Sequence, residues 1–429
     1  KVSFHTLGCK LNFAETSTLG KQFIDRGFET VDAGQPADVV VLNTCTVTER
    51  ADRECRQIIR RALRHSPEAF VIVTGCYAQL QPHEISAIEG VDLVLGSQEK
   101  FDLFKYTNGL KKKSVPQIFV SCIDEAEIFY PAFSSEVGGR TRAFLKVQDG
   151  CDYTCAFCTI PLARGASRSA PETEIIEQAS KIVQDGFKEI VLTGVNVGDY
   201  GKKIDTNFIN LLKGLERITG LERIRISSIE PNLLTRDMVD FMLDSKKFCN
   251  HFHIPLQSGS ENILKKMRRR YLPGDYKSIV EYIKAKDSTA GIGVDVIVGF
   301  PGETDGLFEE TYKFIVDLPV SYLHVFTYSE RPNTDGLSFN DHVNHQIRHG
   351  RNERLRILSQ KKRHNFYSDF IGKSLPVLFE GNMRGNQISG LTSNYIRVET
   401  TGNESMVNKI ENILITRIDN EICIGERNK

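Results

Sequence analysis

Cys151-Asp152-Tyr153-Thr154-Cys155-Ala156-Phe157-Cys158 sets three thiols within eight residues, directly after an apolar stretch, 143–147, that reads as a β-strand. Three thiolates on one tight loop can bind three irons of a cubane iron–sulfur cluster, leaving the fourth iron open to an external ligand. A closed zinc site would want a fourth ligand nearby, and no neighbouring cysteine or histidine supplies one. Downstream, apolar strands at 189–193, 223–226, 251–254, 293–298 and 322–327 alternate with helical stretches. That alternation predicts a parallel α/β core. Six βα units in about 230 residues are too few for an eight-stranded barrel, so a partial (β/α)6 barrel is expected.

The turns after these strands are polar and glycine-rich: Thr193-Gly194-Val195-Asn196, Ser227-Ser228-Ile229-Glu230, Gln257-Ser258-Gly259 and Gly299-Phe300-Pro301-Gly302. Ligands of α/β folds bind at the carboxyl ends of strands. Gly194, Asn196, Ser228, Glu230, Gln257, Ser258, Asp295 and Gly299 are therefore the candidate contacts for whatever occupies the open iron. Glycine permits close backbone approach, and the polar side chains can hydrogen-bond a ligand; singly, each turn reads equally as a plain βα connection.

Upstream, strands at 2–6, 39–43, 70–74 and 93–95 alternate with helices at 14–26, 47–65 and 82–89, predicting a smaller α/β domain with a parallel sheet. Cys9, Cys45 and Cys76 each end a strand and precede a helix, 36 and 31 residues apart, about one βα unit each. In a parallel sheet the three thiols converge at one edge, where the following helix N-termini favour a thiolate-bound cluster. A lone cysteine in such a turn is usually a small buried residue; three in matched places predict a second cluster site. Cys55, Cys122, Cys249 and Cys423 lack partners at ligand spacing and read as structural.

Residues 1–107 are thus expected to form a first domain, 108–139 a connection, 140–370 the core and 371–429 a last domain. In that last domain strands at 375–380, 387–392, 395–400, 409–417 and 421–426 predict a small all-β barrel. The 429 residues carry 40% hydrophobic and 26% charged side chains, ordinary for a soluble globular protein of more than one domain. No signal peptide is legible, and no apolar run approaches the roughly 20 residues needed to span a bilayer. A cytoplasmic protein without a membrane partner is expected, and in a reducing compartment ten cysteines point to metal or catalysis rather than disulfides.

Formal net charge is zero, so bulk charge predicts no nucleic-acid partner. Local faces do. Arg50, Arg53, Arg56, Arg60, Arg61 and Arg64 occupy one arc of about 140° on their helix, diluted only by Glu54, opposite Ala51, Cys55, Ile58, Ile59 and Ala62. Such a stripe suits phosphate, with Arg53, Arg60 and Arg64 the candidate RNA contacts, although a solvated face would look similar. Basic runs recur at 265–270 and 348–363, the latter leading into the small barrel, a fold type used on single-stranded RNA.

The C-x3-C-x2-C loop is the signature of the radical S-adenosylmethionine superfamily. With Cys9, Cys45 and Cys76 and the terminal barrel, the chain resembles the methylthiotransferases over nearly its whole length. Cys158-Thr159-Ile160-Pro161, Arg164-Gly165, Asp295 through Gly302 and Tyr328-Ser329-Glu330-Arg331 are similar to further family stretches. The resemblance implies an N-terminal methylthiotransferase domain, a radical S-adenosylmethionine domain and a C-terminal TRAM domain. It also implies two 4Fe–4S clusters, S-adenosylmethionine as both radical source and methyl donor, and a sulfur carried at the Cys9/Cys45/Cys76 site. Gly8-Cys9-Lys10-Leu11-Asn12 looks like the subgroup that adds a methylthio group at C2 of N6-threonylcarbamoyladenosine, beside the tRNA anticodon at position 37. The isopentenyladenosine subgroup tends to Gly-Cys-Gln-Met-Asn, and the subgroup acting on a ribosomal-protein aspartate to Gly-Cys-Pro-Lys-Asn. Asn333-Thr334 departs from the Gly-Thr of many members. Implied partners are the tRNA anticodon arm, a reducing electron donor such as flavodoxin or ferredoxin, and a sulfur donor. Two other classes stay open: a radical enzyme acting on a protein side chain, and a non-catalytic iron–sulfur or zinc RNA-binding protein.

Overall fold

The computed structural model describes residues 1–45, 49–107, 109–134 and 141–427. The expected helix start at Val47, the side chain of Arg50 and the Gly138-Gly139 turn lie outside what is described.

Runs of β-branched and aliphatic residues make the first sheet. Val39–Thr44 and Phe70–Gly75 are buried throughout, as central parallel strands covered on both faces must be. The sheet has six parallel strands in the order Thr30–Val31, Val2–Thr6, Val39–Thr44, Phe70–Gly75, Leu93–Leu95 and Gln117–Phe119. Gln117–Phe119 lies in the stretch expected to be a bare connection, so the first domain's sheet reaches past residue 107. The helix expected at 14–26 begins earlier, as Lys10–Ile24, and a short helix Cys76–Leu80 precedes the expected one, which is Pro82–Ser86.

The core holds six parallel strands in two groups of three, Arg223–Ile226, Glu189–Thr193 and Arg142–Lys146, then His251–His253, Gly291–Val298 and Tyr322–Thr327. An isolated parallel bridge between Ile224 and Phe248 joins the groups. The outward faces and helices share one apolar core. The inward faces carry Arg142, Lys146, Glu189, Arg225, His253, Asp295 and His324, so the interior of this partial barrel is polar. Phe13 and Ala14 of the helix Lys10–Ile24 pack with Phe144 and Val191, placing the first domain over the inner face of the core.

The last domain is a closed five-stranded barrel. The end of its strand Gln387–Thr392 and the turn that follows cap the amino-terminal end of the core strands. The Arg223 guanidinium donates to the Leu391 carbonyl (2.9 Å), that of Arg225 to the Ser393 carbonyl (2.9 Å), and Arg142 pairs with Glu380 (2.7 Å). Among the described residues, no helix is long and apolar enough to cross a membrane.

Candidate functional site

In the loop 151–158 the backbone closes on itself: the Cys151 N–H donates to the Gly165 carbonyl (3.0 Å) and the Cys158 N–H to that of Cys155 (3.0 Å). Gly150, at φ +68°, makes this possible, since a Cβ there would lie 2.6 Å from the Gly165 carbonyl oxygen. All three thiols are half-buried and act on one another as charges. Burial pushes Cys151 and Cys158 up to about 12, so thiolate character has to come from a bound metal that displaces the protons. The Arg269 guanidinium donates to Cys155 Sγ (3.2 Å) and also pairs with Glu230. This donor set fits a three-thiolate cluster.

The second triad forms because strand ends coincide. Thr6 pairs in register with Asn43, and Thr44 with Gly75, so the three strands stop at one level. A Cβ on Gly8 (φ +102°) would lie 2.6 Å from Cys45 Cβ, and one on Gly75 (φ +97°) 2.6 Å from the Thr44 nitrogen. Both glycines therefore belong to the site, as does Asn12, whose amide donates to the Leu7 carbonyl (2.7 Å) and the Thr44 carbonyl (3.1 Å). Cys45 and Cys76 are buried, whereas Cys9 opens to solvent from a deep setting. Desolvation by surrounding protein pushes the Cys9 thiol up, opposed by the Arg164 guanidinium, with Cys76 as a further charge neighbour. These three thiols fit a second cluster in the same way.

The two sites are joined. The helix Cys76–Leu80 packs on Ile160–Arg164, the helix that follows Cys158. Arg164 reaches back to Glu15 (2.9 Å), Asp149 (2.9 Å) and the Asn12 side chain (2.7 Å). Lys100 and Lys146 complete the group, at 2.6 Å and 3.2 Å from Glu15. Desolvation alone would lift the Glu15 carboxyl, but Arg164, Lys100 and Lys146 hold it well below the carboxylate range. Spacing gives no hint of this network, because its members come from segments far apart in the chain.

Gln257 and Asp295 line a cavity of about 180 Å³ with Cys158, Ile297 and Tyr328. Gln257 holds φ +66°, and its side-chain oxygen is buried without a partner. Asn196 likewise keeps a buried unpartnered oxygen, while its N–H donates to Gln148 Oε1 (2.8 Å), against which Gly194 also packs. Ser228 is half-buried in the turn after Arg223–Ile226. Glu230 reaches Cys155 through Arg269. Ser258 and Gly299 belong to the turns instead: the Ser258 hydroxyl meets that of Thr311 (3.0 Å), and the Gly299 N–H donates to Glu303 (2.6 Å) with Arg348 against it. Arg269, Gln148, His253 and His324 join these residues through Cys155, Asn196 and Asp295; the sequence offers Arg269 only as part of the basic run 265–270, and no motif in it points to the other three. The Asp295 carboxylate meets the His253 ring at 2.8 Å, and His324 lies within 4.8 Å of both.

Arg53, Arg60 and Arg64 are exposed, and a cleft of about 570 Å³ runs along their helix past Arg53, Arg61, His65 and His5. Arg56 is diverted to Glu84 (2.9 Å). The other basic runs are mostly neutralised. Lys266 pairs with Asp341, Arg268 with Asp335, and Arg270 lies over the Tyr153 ring. Arg348, Arg351, Arg354 and Arg363 pair with Glu330, Glu303, Glu309 and Glu421. They fasten a helix to the core and, through Glu421, to the terminal barrel rather than offering it to phosphate, because carboxylates remote in sequence fold back onto them.

Residues 1–96 match the uncharacterized protein family UPF0004, and residues 145–315 the radical SAM superfamily. The threonylcarbamoyladenosine tRNA methylthiotransferase MtaB of Bacillus subtilis is 42% identical over 97% of this chain and 94% of its own length. Its Aquifex aeolicus counterpart is 40% identical over 97% and 100%. The chain belongs to the methylthiotransferase family of radical S-adenosylmethionine enzymes. A tRNA-2-methylthio-N(6)-dimethylallyladenosine synthase of Clostridium tetani is 31% identical over 96% of this chain and 93% of its own. The solved radical S-adenosylmethionine methyltransferase TsrM of Kitasatospora setae shares the fold (TM-score 0.55, 16% identity, 78% and 76% covered). As a methylthiotransferase the protein is a transferase whose family uses S-adenosylmethionine and 4Fe–4S clusters.

Proposed function

We propose that this methylthiotransferase adds a methylthio group at C2 of N6-threonylcarbamoyladenosine, next to the anticodon of tRNA. The observation that carries the reading is the packing of Cys76–Leu80, which starts at one triad, on Ile160–Arg164, which follows the other. The choice of adenosine is supported by the activity named for the relatives at 42% and 40% identity, against 31% for the dimethylallyladenosine enzyme. With two 4Fe–4S clusters and S-adenosylmethionine bound, radical chemistry replaces a C–H bond by C–SCH3 on the base.

Cys151, Cys155 and Cys158 would hold the cluster that supplies the radical chemistry, and Cys9, Cys45 and Cys76 would hold the one that supplies the sulfur. Arg269 orients Cys155 and neutralises charge on its sulfur. Gly194, Asn196, Glu230, Gln257 and Asp295 would line the site for S-adenosylmethionine and the base, and the unpartnered oxygens of Asn196 and Gln257 could accept hydrogen bonds there. Arg53, Arg60 and Arg64 receive phosphates of the anticodon arm, whose unpaired loop lets the base be turned outward. The terminal barrel, a TRAM-like domain, adds further RNA contacts. A reducing flavodoxin or ferredoxin and a sulfur donor are the remaining partners.

Mass spectrometry of tRNA nucleosides from cells lacking the protein tests this directly. Loss of the 2-methylthio derivative with accumulation of threonylcarbamoyladenosine is expected, restored by the parent chain but not by Cys9→Ala. Loss of methylthiolated isopentenyladenosine instead, or unchanged nucleosides with an altered ribosomal protein, would contradict it.

A further inference from the structure

Lys10 follows Cys9 and opens the helix Lys10–Ile24, but its side chain leaves the first domain. It lies part-buried against the interior of the core, where it interacts electrostatically with Tyr395, Arg142, Arg225 and Glu189. Asp295, His251 and His324 feel its charge in turn.

The other charges of this interior are paired. Arg142 meets Glu380 at 2.7 Å, Arg225 meets Glu189 at 2.7 Å, and Asp295 meets His253 at 2.8 Å. The Lys10 ammonium makes no hydrogen bond or ion pair with any described residue. Below it the interior is closed by Tyr395, stacked on His251 at 4.5 Å with Arg225 5.0 Å from its ring centroid. Above it lies the cavity beside Cys158, lined by Gln257 and Asp295. A group entering beside the clusters and reaching downward meets an unpaired ammonium and the imidazoles of His253 and His324. An aliphatic substituent there would strip water from that ammonium with nothing in exchange, whereas a carboxylate would accept its hydrogen bonds.

We propose that Lys10, assisted by His324, receives the carboxylate of the threonylcarbamoyl group on N6 of the target adenine and thereby selects that base. The inference rests on the substrate reading above and extends it to a residue. The purine then lies between the two thiol triads with its N6 substituent pointing into the core, which leaves C2 on the side of the clusters.

The test uses full-length enzyme reconstituted with iron and sulfide, as the parent, Lys10→Met and Lys10→Arg. Each acts on an anticodon stem–loop RNA carrying threonylcarbamoyladenosine, and on the same RNA with the threonyl carboxylate as its methyl ester. The parent is expected to favour the acid over the ester by roughly 10- to 100-fold in kcat/KM, the range of a charge-assisted hydrogen bond. Lys10→Met should lose that preference and Lys10→Arg should regain part of it, with iron content and S-adenosylmethionine cleavage without RNA unchanged. Equal parent rates on acid and ester overturn the inference whatever the variants do, so a variant that fails to load iron does not rescue it. An undiminished preference in Lys10→Met overturns it too. A parent that acts on neither RNA but methylthiolates one carrying isopentenyladenosine removes the substrate reading itself, an outcome distinct from the other two.

Discussion

Cys151, Cys155 and Cys158 are brought together by eight consecutive residues, whereas Cys9, Cys45 and Cys76 meet only because three parallel strands stop in register. The first site is a property of a loop, the second of a sheet. A loop site tolerates change elsewhere in the fold as long as its own turn closes. A sheet site depends on everything that fixes the strand ends, including glycines that bind nothing. The two thiol sets also differ in access: Cys151, Cys155 and Cys158 are all half-buried, while Cys45 and Cys76 are buried and Cys9 alone of its set opens outward.

The largest expected effect falls on the loop site. Replacing Cys151, Cys155 and Cys158 with alanine removes every thiolate there and should abolish 5′-deoxyadenosine formation, as read by chromatography of a dithionite-reduced reaction. Residual cleavage at the parent rate would contradict the assignment.

Gly75→Ala probes the sheet site without touching a thiol. Its Cβ would lie 2.5 Å from Asn43 Oδ1 on a backbone at φ +97°. Iron analysis after reconstitution should fall from about eight to about four per chain, while 5′-deoxyadenosine formation continues. Eight irons in this variant would mean that the strand ends do not set the site.

Glu15→Gln acts on the joint between the sites. Lys100 and Glu15 are both fully buried at 2.6 Å, and Glu15 is the acidic side chain bonded to Lys100. An uncompensated buried ammonium costs about 3–5 kcal/mol, which denaturant unfolding would report. A change below about 1 kcal/mol would show that the network does not hold the domains together.

Thiol spacing, strand alternation and the five short terminal strands are legible in the sequence because they are local patterns. The sheet site is legible only as three cysteines in matched turns; that Gly8, Gly75 and Asn12 shape it depends on strand register. Gln117–Phe119 escapes because three residues after a lysine run show no alternation, and Cys76–Leu80 because five residues show no helical period. The basic runs mislead for a different reason. Arg351 and Arg363 look free in sequence, yet Glu303 and Glu421 lie 48 and 58 residues away along the chain.

The smallest effect concerns the face that kept its charge. Replacing Arg53, Arg60 and Arg64 with glutamine should weaken tRNA binding and flatten its salt dependence, by roughly one unit of slope for each phosphate no longer neutralised. S-adenosylmethionine cleavage without RNA should not change. Binding identical to the parent at every salt concentration would make this helix a solvated face.

The division of labour between the loop site and the sheet site is tested most directly in one reaction. 5′-Deoxyadenosine and methylthiolated nucleoside are measured together for the Cys9→Ala, Cys45→Ala, Cys76→Ala variant with substrate tRNA. If the loop site makes the radical and the sheet site carries the sulfur, 5′-deoxyadenosine forms without methylthiolated product. Methylthiolated product from that variant would contradict the division.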